Sequence, residues 1–203
     1  DGRKERLLLE ALAQVGRLRY VAMDVSSQMI DEALHAVADL DVEQHGLVAL
    51  FEDLPQLTSH WSSPLLLCLL GNNFCNYAPD ALLGMFSHLL GAEDFLLFDC
   101  HIYPSSRLQD DEWRRDVARA YGSEANVRFN TWPLVSRGMK PDACRFSLQL
   151  VRVPTASGPA LRTRKHIEIL EDAELRIGGN KTVLWKGDVI QMGFTYKYTA
   201  AQV

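Results

Sequence analysis

Four apolar runs in this sequence end in side chains able to hold a ligand. Asp24 closes "RYVAMDV". Glu52 and Asp53 follow "GLVALF". Gly71, Asn72, Asn73 and Asn76 follow "PLLLCLL", and Asp99 and His101 close "DFLLFDCHI". A carboxylate at the end of a strand, some 20 positions after a glycine turn, can accept hydrogen bonds from both hydroxyls of a ribose. Asp24 lies 22 residues after Gly2. That spacing suits a nucleotide site, and it fits a nicotinamide cofactor and S-adenosylmethionine (SAM) equally. It also fits a plain turn-capping carboxylate, as does the position of Asp53. The asparagines have two readings as well. A carboxamide accepts hydrogen bonds without adding charge. It also tolerates positive φ and bonds its own backbone, and on that ground Asn72 reads as a turn former.

These residues need a frame. "RKERLLLEALAQV" carries Leu7, Leu8, Leu12 and Val15 at helical spacing, with Gly16 as its stop. "SSQMIDEALHAVADL" opens on serines suited to an N-cap. "PDALLGMFSHLL" and "DDEWRRDVARAY" read as helices opened by a proline and by acidic residues. Continuous apolar strands alternating with helices predict a parallel sheet covered on both faces. Beyond about residue 125 the texture changes. "CRFSLQLVRV", "RKHIEIL", "AELRIG", "KTVLWKG" and "VIQMGFTYKYT" are short, alternating segments joined by turns such as Gly178-Gly179-Asn180, and they predict antiparallel strands. Trp113, Trp132 and Trp185 read as packing residues.

The chain has 203 residues, 47% hydrophobic and 23% charged, enough to bury a core. A net charge of −5 excludes a broadly basic nucleic-acid surface. No apolar run approaches the length of a membrane span. The cysteines Cys68, Cys75, Cys100 and Cys144 show no paired or metal-binding spacing, so a reduced, cytoplasmic setting is expected. The helical start and the abrupt end of "YKYTAAQV" lead us to expect trimmed termini.

Several stretches together resemble the SAM-dependent histidine N-alpha-methyltransferase family of ergothioneine biosynthesis. "DGRKERLLLEAL" is similar to the tail of its glycine loop and the following helix. "YVAMDVS" is similar to its ribose-binding strand end. "LLLCLLGNNFCN" is similar to its apolar strand followed by Gly-Ser-Thr-Ile-Gly-Asn, and "ARAYGSEANVRFN" to its Ala-Tyr-Asp-Asp segment followed by Phe-Asn. "HIEIL" is similar to its Ile-Glu-Met stretch. "GDVIQMGFTYKYTAAQV" resembles its Gly-Glu-x-Ile-x-x-Glu-x-Ser-x-Lys-Tyr ending. The resemblance implies an α/β fold, with a Rossmann-like methyltransferase sheet over residues 1–124 and a smaller α+β, largely antiparallel β, substrate lobe over 125–198. Residues 199–203 would begin a returning core helix. It implies SAM as cofactor, held by Gly2, Lys4, Asp24, Asp53, Leu54 and Gly71. Asn76 would hold the amino acid, Tyr121 would orient its carboxylate, and Thr195 would lie near its side chain.

The departures are specific. The family glutamate that grips the imidazole falls on Gly193. Its Ser-Thr-Ile-Gly is Asn72-Asn73-Phe74-Cys75, and the acidic pair after its tyrosine is Gly122-Ser123. Losing a buried hydrogen-bonding residue removes the selection that residue made. The expected activity is therefore direct methyl transfer to the nitrogen of a histidine-like amino acid or a similar small amine. Such an amine must be deprotonated to react, and neutral carboxamides such as Asn76 and Asn73 favour that state, whereas a carboxylate would favour the ammonium. Asn76 and Tyr121 are the expected catalytic residues, with Asn73, Gly193 and Thr195 beside the substrate. A transferase using an oxygen or carbon nucleophile is a second expectation. A degenerate relative that binds a ligand or partner without turnover is a third. The expected partner is a small molecule, with no nucleic acid and no membrane, and the oligomeric state is left open.

Overall fold

The computed structural model describes residues 2–58, 61 and 64–203. The chain divides into two compact units. One comprises Asp1–Leu70 and Met85–Leu96, the other Gly71–Gly84 and Leu97–Val203.

The first unit opens on α1 (Arg3–Leu12), followed by β1 (Arg19–Asp24), α2 (Ser27–His35) and β2 (Glu43–Val48). β1 and β2 are parallel, with Arg19 opposite Glu43 and Asp24 opposite Val48. α2 lies on both strands. Its first turn is capped as the sequence predicts, by Ser26, whose hydroxyl accepts from the Met29 amide. The close approach of α2 explains Gly46 in β2, since a Cβ there would come within 2.6 Å of Ile30 Cγ2. Arg6 ties α1 to the end of α2. Its guanidinium donates to the Ala36 carbonyl at 2.9 Å and grips both carboxylate oxygens of Asp39. A 3-10 turn at Phe51–Asp53 and the short helix α3 (Leu54–Leu57) precede β3 (Leu66–Leu69). The predicted strand "GLVALF" thus begins three residues earlier and ends at Val48, so Glu52 and Asp53 sit in the turn beyond it.

β3 pairs with β4 (Phe95–Phe98). Asp94 organises the entry to that pair, accepting the Leu65 amide at 2.7 Å and the Gly91 amide at 2.8 Å. α4 (Pro79–Leu89) and β4 each run across the division between units. The sequence predicts one continuous parallel sheet. Among the described residues, β1–β2 and β3–β4 are instead separate two-stranded pairs. The α/β character stands, and the single sheet is not formed by these ladders.

The second unit contains α5 (Asp111–Tyr121), α6 (Glu124–Val135) and β5 (Cys144–Val153), β6 (Ala160–Ile169), β7 (Ala173–Ile177), β8 (Asn180–Leu184) and β9 (Val189–Lys197). β5, β6 and β9 form an antiparallel sheet in that order, and β7–β8 is a hairpin, so the antiparallel reading of this region holds. α6 is the element the sequence conceals. It carries Asn126, Asn130, Thr131 and Pro133, poor helix formers with no apolar stripe. Packing secures it instead, because Leu134 joins Met139, Ala143, Cys144, Ile167, Ile169 and Leu175 in the core of the unit. Trp113 packs edge-on against Tyr103 as expected. Trp132 and Trp185 are exposed, which corrects their reading as packing residues.

Candidate functional site

The end of "LLLCLL" is a tight, fully tethered loop. Gly71 and Asn72 take positive φ in succession, 81° and 66°. Asn72 is the one non-glycine residue described with positive φ, which supports its reading as a turn former. The Asp99 carboxylate accepts both backbone amides, Gly71 at 3.2 Å and Asn72 at 2.5 Å. The Asn72 carboxamide in turn accepts the His101 amide at 2.9 Å. The next residues, Asn73–Asn76, form a 3-10 turn. Its middle pair is buried: Phe74 stacks on Phe98 at 4.3 Å and contacts Tyr198, and Cys75 has no exposure. Burial pushes the Cys75 thiol up to about 11, so it is an inert packing group at neutral pH. Anchored by that pair, the turn leaves Asn73 and Asn76 exposed.

Asn76 meets β9. The Thr195 hydroxyl donates to Asn76 Oδ1 at 3.2 Å. Thr195 is held from behind by its cross-strand neighbour: its amide donates to Thr163 Oγ1 at 3.0 Å, and Thr163 Oγ1 donates to the Thr195 carbonyl at 3.2 Å. Two residues on, and so on the same sheet face, is Lys197. It is only 5% exposed. Its ammonium donates to the Tyr121 hydroxyl at 3.1 Å and lies 5.4 Å from the centre of that ring and 5.7 Å from the centre of Tyr103. Gly193, two residues before Thr195, shares this face. It has φ 128° beside a register shift that leaves Met192 as the extra residue of a bulge. Strand β9 therefore brings Asn76, Tyr121, Gly193 and Thr195 together within the second unit.

Lys197 is the residue of this cluster to which the sequence reading gave no role. The signal was present in the period-two pattern of "GFTYKY", which puts Gly193, Thr195 and Lys197 on one face.

The positions implied for the cofactor lie in the first unit, apart from Gly71. Asp24 is exposed at the carboxyl end of β1, and its Oδ1 accepts the Ser26 amide at 2.8 Å. Asp53 Oδ2 accepts the Leu50 amide at 2.9 Å. Each carboxylate is thus oriented by a backbone amide, the turn-capping role that the sequence left open beside a nucleotide site. Gly2 is buried with φ 68° at the start of α1, where a Cβ would fall 2.6 Å from Ala36 Cβ. Packing against α2 alone accounts for its being glycine. Lys4 is exposed in the first turn of α1. Leu54 is 1% exposed, so its side chain is core and offers no face to a ligand.

No curated protein matches the chain. The family model described as histidine-specific methyltransferase, SAM-dependent, matches residues 1–203. The chain therefore belongs to the SAM-dependent histidine-specific methyltransferase family: it is a methyl-transferring enzyme whose cofactor is SAM.

Proposed function

We propose that the chain methylates the nitrogen of an amino acid or a similar small amine, with Asn76, Thr195 and Tyr121 at the acceptor end. The observation that carries this reading is the Thr195–Asn76 hydrogen bond, which fixes a neutral carboxamide beside a strand face that also presents Lys197, whose ammonium donates to the Tyr121 hydroxyl of α5. SAM, when bound, supplies a methyl group for direct displacement by a nucleophile. This chain's residues have two tasks. They must hold the nitrogen in line, which can be worth roughly 7–11 kcal/mol of the barrier. They must also keep its lone pair free. The Thr195 hydroxyl engages one lone pair of Asn76 Oδ1, and a carboxamide oxygen has a second with which to accept an amine N–H. No negative charge is added that would favour the ammonium, and a lysine on the same face opposes a second cation.

In this reading the parallel β1–β2 pair is part of a Rossmann-like cofactor-binding sheet. Asp24 accepts from the ribose of SAM and Asp53 from its adenine amino group, and Gly2, Lys4 and Gly71 are the other positions assigned to the cofactor. Asn73 is the second carboxamide of the acceptor site. The four free thiols agree with a reducing, cytoplasmic setting. No helix among the described residues is long and apolar enough to cross a membrane, and the partner proposed is a small molecule. Incubation with SAM and a panel of amino acids tests the reading. An N-methylated product formed in step with S-adenosylhomocysteine is expected. Methyl transfer to oxygen or carbon alone would contradict it.

A further inference from the structure

The sheet face that holds Thr195 carries two ammonium groups around one tyrosine. Lys165 stands directly opposite Gly193 across β6 and β9, and its Nζ lies 5.4 Å from the centre of the Tyr121 ring. Lys197 lies the same 5.4 Å from that centre and donates to the hydroxyl. Among the described residues neither lysine forms an ion pair.

An ammonium as buried as Lys197 is costly without a counter-charge. Two aromatic faces and a phenol oxygen offset only part of that cost. One position on this face is open. Gly193 has no side chain, and a Cβ built there meets nothing within 4 Å. The floor opposite Lys165 is thus open.

We propose that Lys165 and Lys197 form an anion subsite and that the methyl acceptor is an amine carrying two acidic groups, such as a dicarboxylic amino acid. This deepens the amine N-methyltransferase reading and rests on it. Two cations on one face call for two negative charges. An α-carboxylate supplies one, and an acidic side chain supplies the other. An imidazole supplies none and finds no carboxylate at Gly193.

Titration calorimetry on the protein saturated with S-adenosylhomocysteine tests this with L-glutamate and L-glutamine, which differ in one charge at nearly constant shape. L-Glutamate should bind about tenfold tighter or more, the scale of one charge-assisted hydrogen bond. Lys165→Met should erase the difference, and Lys197→Arg should preserve it. Both variants keep the sheet face filled, and binding of S-adenosylhomocysteine by each shows that it is folded. L-Glutamate bound no better than L-glutamine by the unmodified protein overturns the subsite, as does a preference that survives Lys165→Met. The readout is binding, so it is independent of turnover: methylation of neutral amines with no acid preference would refute the subsite and leave the enzyme reading intact.

Discussion

Thr195 donates its hydroxyl to the Asn76 carboxamide at 3.2 Å, across 119 residues of sequence. Thr163 fixes the backbone of Thr195, and the buried pair Phe74 and Cys75 fixes the turn that carries Asn76. Both partners are therefore held before any ligand arrives, which is what precise placement of a reacting nitrogen requires.

Thr195→Val keeps the shape and removes the hydroxyl. It should lower kcat for methylation about tenfold, the value of one hydrogen bond of roughly 1.4 kcal/mol. SAM affinity should be unchanged, and Thr195→Ser should restore most of the rate. Steady-state kinetics paired with SAM titration check this. A loss confined to SAM binding would place Thr195 in a different role.

Asp24→Ala should weaken SAM binding by about 1–3 kcal/mol, from charged hydrogen bonds to the ribose. Calorimetry reads this directly. The variant also loses the tether to the Ser26 amide, so its melting temperature must be measured alongside. An unchanged SAM affinity would remove Asp24 from the cofactor site.

Gly46→Ala should destabilise the fold by about 1–3 kcal/mol, because the new methyl would meet Ile30 at 2.6 Å and drive α2 off the β1–β2 pair. Denaturant titration gives the value. Combining it with Ile30→Ala should recover part of the loss.

How much of this was legible in the sequence varies by element. β1, its terminal Asp24 and the Ser26 cap were legible because apolar run, carboxylate and capping serine are local signals. Asn72 was legible as a turn former because its αL conformation reflects an intrinsic tolerance. The antiparallel strands after Cys144 followed from alternation. α6 was hidden because its stability lies in the packing of Leu134 against residues such as Ile167 and Ile169, not in its own sequence. The two lysines were hidden for a similar reason. Lys165 and Lys197 each reach Tyr121 only through the β6–β9 register and the end of α5, both long-range. Trp132 and Trp185 misled because bulk predicts burial only on average.

Stability should fall at alkaline pH. Burial pushes the Cys68 thiol up to about 11 and the Tyr20 phenol up to about 12. In the unfolded chain such a thiol titrates near 9.0. The folded state favours the protonated forms. Their contribution is therefore complete below about pH 9 and is lost as pH rises toward 11 and 12. Denaturation midpoints across that window should drop, and Cys68→Ala should flatten the part between pH 9 and 11. A flat profile in the unmodified protein would show that these groups stay solvated.

In the proposed reaction a neutral Asn76 holds the methyl acceptor. The most direct measurement compares the unmodified protein with Asn76→Asp and Asn76→Ala, following release of S-adenosylhomocysteine with an accepted amine and SAM affinity by calorimetry. Both substitutions should leave SAM affinity intact. Asn76→Ala should slow methylation at least tenfold, the scale of a lost hydrogen bond, and Asn76→Asp should slow it further at neutral pH by favouring the ammonium. Full activity in both variants, or loss of SAM binding equal to the loss of rate, would contradict the account.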